Sequence, residues 1–292
     1  MNVYIQSVLL GIVEGLTEFL PVSSTAHLRI AEALMRIPLD DEYWKMYSIV
    51  IQAGAILALL LLYLSRIVGF MRTFPEGENG DRNWLTHPIS LTFIAFACTS
   101  APALLLKKWS DHNLGSITVM ALALLIGGVV MWVVDAWFSR QEATTTHVEE
   151  MTLGQSIWIG LCQALSAIFP GVSRSMSTIA AGQIVGLDRP SALEFSFLLS
   201  IPTMLAATGY DLLKEIHPGK AAGGVAAAAH VIMNSERWVV LAIGFVVSFI
   251  VALGVVEWFL MWVRRHGFGV FALYRIVLGI ALLLFGARYI GG

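Results

Sequence analysis

Charge is scarce in this chain: Asp, Glu, Lys and Arg make up only 13% of its 292 residues, about half the share found in soluble domains. Too few polar side chains remain to coat a water-soluble globule. Neither sign dominates, and a formal net charge of -2 leaves no basic face for nucleic acid. Cysteine is rarer still. Cys98 and Cys162 stand alone in apolar surroundings, which excludes a disulfide framework or a cysteine metal site and reads as small packing residues. The first residues lack the basic region of a signal peptide, and Glu14 and Glu18 would interrupt its apolar core, so the chain reads as mature from Met1.

What the chain has in quantity is apolar length. Hydrophobic residues reach 57%, with nine Trp and a mean hydropathy of +0.76, the composition of an integral membrane protein. Six runs are long enough to cross about 30 Å of hydrocarbon as helices: Trp44 to Leu64, Ile89 to Leu106, Ile117 to Phe138, Leu193 to Leu213, Trp238 to Val263 and Val270 to Tyr289. Two shorter runs, Ile5 to Leu20 and Gln155 to Phe169, carry polar residues and stop at Pro21 and Pro170. Proline ends each, and a Ser/Thr/Gly-rich turn follows whose backbone cannot face lipid. Both runs therefore predict re-entrant half-helices, each followed by a second short helix leading out.

The two polar segments resemble each other. Gly11, Glu14, Leu16, Thr17, Pro21 and Ser24 match Gly160, Gln163, Leu165, Ser166, Pro170 and Ser173, 149 residues later. At an offset of 148, Tyr47 to Gly54 matches Phe195 to Pro202. The predicted architecture is an all-α membrane protein, one polytopic domain over 1–292 built from two pseudo-symmetric halves, about 1–140 and 150–292. Three spans follow each hairpin, and an odd number of crossings inverts the second copy. The hairpins then enter from opposite faces and meet near the midplane, where inverted repeats place their sites. Ser65 to Pro88, Ser139 to Met151 and Lys214 to Glu236 read as loops, with His87, His112 and His147 as surface histidines. Trp44, Trp84, Trp109, Trp238 and Trp262, near span ends, read as interfacial anchors. Lys and Arg divide almost evenly between the two sides, so charge does not orient the chain.

Ionisable groups at membrane depth are functional suspects by default. Glu14 and Glu18, four apart on one helix face, can share a divalent cation, or one can act as a base that the other orients. Ser23, Ser24 and Thr25 open a short helix whose free N-H groups favour phosphate, and one of these hydroxyls can instead cap it. His27 lies one turn beyond Ser24, close enough for proton transfer. The second copy replaces the acids by Gln163 and Ala167 and offers Ser173, Arg174, Ser175 and Thr178. Arginine grips phosphate oxygens in bidentate fashion, so one half reads as reactive and the other as holding. The duller assignments are an acid paired with Arg275, and Gln52 and Glu194 as packing or supporting groups near the seam.

The motifs E-G-L-T-E-F-L-P-V-S-S-T-x-H and P-G-x-S-R-S, with L-E-F-S-F-L-L-S-I-P and Tyr274-Arg275, resemble the bacterial undecaprenyl-diphosphatase family of BacA type over nearly the whole chain. That resemblance implies removal of the terminal phosphate of undecaprenyl diphosphate, recycling the lipid carrier of cell-wall synthesis, with bacitracin resistance on overproduction. It implies a bacterial inner-membrane location with the site open to the periplasm, and a divalent cation, Mg or Ca. Carried across, Glu14 and Glu18 serve metal binding or base chemistry, Ser24 attacks, His27 does acid/base work, and Arg174 with Ser23, Thr25, Ser173, Ser175 and Thr178 holds phosphate. His27 stays open as the alternative nucleophile. Ala26 and Met176 depart from the family pattern, which commonly has Gly at both places. The partners implied are the polyprenyl diphosphate lipid, the bilayer and, left open, a second copy in a homodimer.

A flippase or transporter of a phosphorylated polyprenyl lipid would use the same repeats and the same arginine. It needs no cluster of hydroxyl, imidazole and two carboxylates, so the hydrolase is the stronger expectation. Lipid phosphatases with an S-R-x5-H signature are excluded by Ala180, which stands where their histidine would be.

Overall fold

A computed structural model describes residues 1–38, 41–106, 116–138, 140–216 and 233–286. His112, Trp109, most of the Gly/Ala-rich loop and the end of the last apolar run fall outside the described residues. Among the described residues ten α-helices follow in order: α1 Val3–Thr17, α2 Ser24–Leu34, α3 Glu42–Thr73, α4 Pro88–Leu105, α5 Ile117–Phe138, α6 Leu153–Ile168, α7 Arg174–Ile184, α8 Arg189–Ile216, α9 Ser235–His266 and α10 Gly269–Ala281. A 3-10 turn, Val148–Glu150, precedes α6, and a π turn, Leu282–Gly286, extends α10. The described residues contain six helices long and apolar enough to cross a membrane, and the chain is an all-α, multi-pass membrane protein. Two loops are shorter than expected, because α3 continues through Ser65 to Thr73 and the helices flanking the Lys214 to Glu236 loop run to Ile216 and from Ser235.

Neither α1 nor α6 can span. Their 15 and 16 residues give about 22–24 Å of helix, short of the hydrocarbon thickness. Each instead breaks and turns back. Gln6 Nε2, at the start of α1, donates to the Met35 carbonyl just past α2 (3.3 Å). Gln155 Nε2, at the start of α6, donates to the Val185 carbonyl just past α7 (2.9 Å). Both hairpins thus return to the face they entered, closed by glutamines 149 positions apart.

The same spacing recurs where each hairpin is held by the opposite half. Ser7 on α1 donates to the Val240 carbonyl of α9 (2.7 Å), and Ser156 on α6 donates to the Leu91 carbonyl of α4 (2.6 Å). One turn further, Gly11 lies against the Gly244 carbonyl and Gly160 against the Ala95 carbonyl, so close that a methyl group on either glycine would collide with backbone. Every residue in the second set is the first set's repeat mate. The breaks themselves adopt left-handed backbone, at Ser23 (φ 76°) and Gly171 (φ 97°), conformations that turn the chain sharply. An aromatic core holds the halves together around Phe197, which meets the rings of Phe19 and Tyr63 edge-on at 5.7 and 5.8 Å.

Candidate active site at the two helix breaks

Helix α1 delivers Glu14 and Glu18 to the first break, and α2 starts directly after it at Ser24. The Ser24 hydroxyl donates to Glu18 Oε2 at 2.6 Å, while Glu18 Oε1 accepts from Arg174 Nη2 at 3.3 Å. Arg174 is the first residue of α7, so this ion pair joins the two halves across their breaks. Its side chains are 11% and 5% exposed, and burial removes the water that would otherwise screen the pair. The Arg174 guanidinium also lies 5.9 Å from the centre of the Phe19 ring, within cation–π reach.

Four of the nine buried polar atoms without a partner among the described residues belong to residues of this pair and its neighbours. Both oxygens of Glu14, Nη1 of Arg174 and the Ser175 hydroxyl are buried without a hydrogen-bond partner among the described residues, and Glu14 feels the charges of Glu18 and Arg174. Buried polar atoms are rarely left so. No hydroxyl caps α2: Ser23 makes no side-chain cap bond, and Ser24 is committed to Glu18. The expectation of a capping hydroxyl there is corrected, and the positive end of α2 keeps free N-H groups beside Ser24. Thr25 points to the exposed face.

The remaining sequence candidates divide. Ser173 caps α7 by accepting from Met176 N (3.3 Å), next to Arg174. Thr178 lies a turn deeper, buried, its hydroxyl engaged with Ser196 (2.7 Å) and with the carbonyl of Arg174 (3.0 Å); these bonds brace α7 against α8. Both ring nitrogens of His27 are engaged by groups other than Ser24. Its Nδ1 is 2.7 Å from the Ser23 carbonyl, and a carbonyl only accepts, so Nδ1 carries the hydrogen. In the neutral ring Nε2 then accepts from the Tyr274 hydroxyl at 2.6 Å, and the two rings stack at 5.5 Å.

Arg275 does not pair with either acid, correcting that assignment. Fully buried, it donates to the carbonyls of Pro21 (3.2 Å), Gly171 (3.1 Å) and Ala123 (3.2 Å). One side chain therefore ties the first break to the second. In the sequence Tyr274 and Arg275 stand out only as part of a motif; the signal that marks Arg275 is a lone cation in an otherwise apolar span. Gln163, the repeat mate of Glu14, donates to Thr99 (3.0 Å) and Thr203 (3.1 Å), a structural use of the position that is acidic in the first half. Glu194 binds Arg66 of the first half (2.6 Å), which also binds Glu149, a supporting ion pair between the halves. Gln52 accepts from Thr208 (3.4 Å), a packing role. Ala26 is buried against Met120 and Leu124, and the Met176 side chain packs over Gly127 beside Arg275.

Away from the membrane interior, His87 departs from the surface role expected of it. It is buried, accepts from the Ile89 backbone N-H (3.2 Å) and packs edge-on against Phe70 and Phe74. Burial, helped by the charge of Arg82, holds its pKa below the ordinary value of 6.5.

Among the described residues no group of three or more His, Cys, Asp or Glu could hold a metal ion. The donors that are present suit a hard cation of the Mg or Ca kind, which takes one or two carboxylates and completes its shell with phosphate and water. The two unpartnered oxygens of Glu14 are of that type.

Comparison with known proteins matches residues 7–281 to the family of the bacitracin resistance protein BacA. A protein of Koribacter versatilis named undecaprenyl-diphosphatase is 58% identical over 288 residues, covering 99% of this chain and 100% of that one. Proteins of the same name are 38% identical in Caldanaerobacter subterraneus subsp. tengcongensis, over 99% of this chain and 98% of theirs, and 41% identical in Rhizobium etli strain CIAT 652, over 96% of each.

Proposed function

Because this chain belongs to the bacitracin resistance protein BacA family, we propose that it is an undecaprenyl-diphosphatase, hydrolysing the terminal phosphate of undecaprenyl diphosphate to leave undecaprenyl phosphate. Its lipid substrate is a polyprenyl diphosphate whose head group sits between the two helix breaks. The observation that carries the assignment of roles is the 2.6 Å bond from Ser24 to Glu18, with Glu18 held by Arg174 from the other half.

In this reading Glu18 takes the Ser24 proton as Oγ attacks the terminal phosphorus. The new Oγ–P bond forms while the bond from phosphorus to the bridging oxygen breaks, and undecaprenyl phosphate leaves with the electron pair. Water then attacks the phosphoserine, Ser24 recovers its proton through Glu18, and inorganic phosphate departs. Arg174, Ser175 and the N-H groups of α2 meet the charge that grows on the phosphate oxygens, with Ser23, Thr25 and Ser173 shaping the two turns. Engagement of His27 with Tyr274 and Ser23 favours Ser24 as the nucleophile and leaves His27 for proton transfer. Glu14 and Glu18 would hold a Mg or Ca ion, which supplies charge neutralisation of the diphosphate.

The reading places the protein in the bacterial inner membrane with the site open to the periplasm, singly or as a homodimer, which mass measurement in detergent distinguishes. The test of function is phosphate release from undecaprenyl diphosphate by the purified protein, with and without chelator. The wild type should release one phosphate per lipid, and less with chelator. Glu18→Gln, Ser24→Ala and Arg174→Ala should each lose on the order of 100-fold or more. Wild-type rates in all three would overturn these roles.

A further inference from the structure

Two neighbouring residues of α10 bracket the first break. Arg275 donates to the carbonyl of Pro21 at 3.2 Å, just before the turn. Tyr274 reaches the carbonyl of Ser23, just after it, through His27: its hydroxyl binds His27 Nε2 at 2.6 Å, and His27 Nδ1 donates to the Ser23 carbonyl at 2.7 Å. The two rings stack at 5.5 Å and 16°, which fixes the imidazole plane as well as its ends. These contacts converge on a residue that needs holding. Ser23 has φ 76° and ψ 91°, a conformation unfavourable for serine that persists only where the surroundings impose it. Ser173, which stands in the same place before α7, caps its helix with its own hydroxyl; Ser23 makes no such bond. The Ser23 carbonyl also accepts the backbone N-H of His27, at 3.3 Å, so the imidazole contact is the shorter of the two.

A peptide group is planar and trans, so its C=O and N-H point in opposite directions. The Ser23 carbonyl and the Ser24 N-H belong to one such group. With the carbonyl held against His27 on the helix side, the Ser24 N-H is aimed out of the start of α2 into the break. There the Ser24 hydroxyl donates to Glu18, and Glu18 accepts from Arg174. As the first N-H of α2 it has no acceptor within the helix, and it is a ready donor for a phosphate oxygen. Rotation of this peptide would present a carbonyl oxygen to the phosphate instead, and repulsion would replace a hydrogen bond.

We propose that Tyr274 is a positioning residue of the diphosphatase reaction: by holding His27 it locks the Ser23–Ser24 peptide with its N-H facing the transferred phosphate. The proposal rests on the diphosphatase reading and adds a residue to it. Tyr274 acts through His27 and not on the phosphate itself. A donor aimed in advance at oxygens that gain charge in the transition state lowers the barrier more than it tightens substrate binding, so the effect belongs in kcat.

The experiment measures phosphate release from undecaprenyl diphosphate by the detergent-purified full chain. Tyr274→Phe keeps the stacked ring and removes the hydroxyl; kcat should fall about tenfold while KM and melting temperature hold. At position 27, asparagine places an amide N-H where Nδ1 stands and glutamine places one where Nε2 stands, so His27→Asn should keep about tenfold more kcat than His27→Gln. The asparagine side chain stops short of Tyr274, and adding Tyr274→Phe to His27→Asn should change nothing further. Nitrogen NMR of the histidines reads the tie without turnover: the wild type should show His27 with its hydrogen on Nδ1 and a hydrogen-bonded Nε2, and Tyr274→Phe should shift the Nε2 resonance. Unchanged kcat in Tyr274→Phe, equal activity of the two His27 variants, or a further loss in the double variant would overturn the proposal. So would a melting temperature that falls in step with kcat, which would make Tyr274 a packing residue. A wild type that releases no phosphate would count instead against the diphosphatase reading, and the histidine spectrum would still judge the tie.

Discussion

Arg275 ties the two helix breaks to each other and to α5. Its guanidinium is buried inside a span and spends its donors on three backbone carbonyls, one in each helix break and one on α5. Removing it strands those carbonyls, and an unsatisfied buried polar group costs about 1–3 kcal/mol. Arg275→Met should therefore lower the melting temperature in detergent strongly and remove phosphate release with it. Arg275→Lys keeps a charge without the planar fork and should fall between. A wild-type melting curve for Arg275→Met would refute the tie. At this scale the acids, Ser24, His27 and Arg174 are legible in the sequence, because ionisable residues stand out in apolar runs. Which hydroxyl does what is not: Ser23, Ser24 and Thr25 are adjacent, and only the folded turn, with its left-handed backbone at Ser23, sets Ser24 against Glu18 and Thr25 at the surface.

Each hairpin is an element held by the opposite half through one serine. Ser7 and Ser156 make the same bond to repeat-related carbonyls, so Ser7→Ala and Ser156→Ala should each cost about 1 kcal/mol in chemical unfolding. A loss confined to one of them would show that the two contacts are not equivalent. The start of α4 yields a pH dependence. His87 is neutral-favouring in the folded state, its pKa lying below 6.5, so its contribution to stability is full above the unfolded pKa near 6.5 and is lost as pH falls below that toward the folded value. Melting temperature should drop between pH 7.5 and pH 5.5, and His87→Asn, which keeps a cap acceptor, should reduce that drop. Indifference of the drop to the substitution would assign it to other groups. Helix positions at this scale follow from apolar length, and Ile117–Phe138 appears with the bounds its run predicts. The extension of α3 through Thr73 does not follow from hydropathy, since its last turns leave the apolar run.

For the whole molecule the consequence of an odd number of spans between the hairpins is that they enter from opposite faces. Single cysteines replacing Tyr4 and Gly154, in a background without Cys98 and Cys162, should react with a membrane-impermeant maleimide from opposite sides of oriented vesicles. Labelling of both from one side would abolish the inverted arrangement and the meeting of Glu18 with Arg174. Residue type and spacing along the chain suffice for the solvent, the six spans, the two proline-ended half-helices and the family, because each is a property of local pattern. Three-dimensional packing was needed to establish that Glu18 joins Ser24 to Arg174, that Arg275 binds both breaks and that His27 turns to Tyr274. Those contacts join residues up to 254 positions apart, and nothing in local pattern fixes which distant carbonyl a buried donor will find. That choice belongs to the folded chain, where most buried donors find an acceptor.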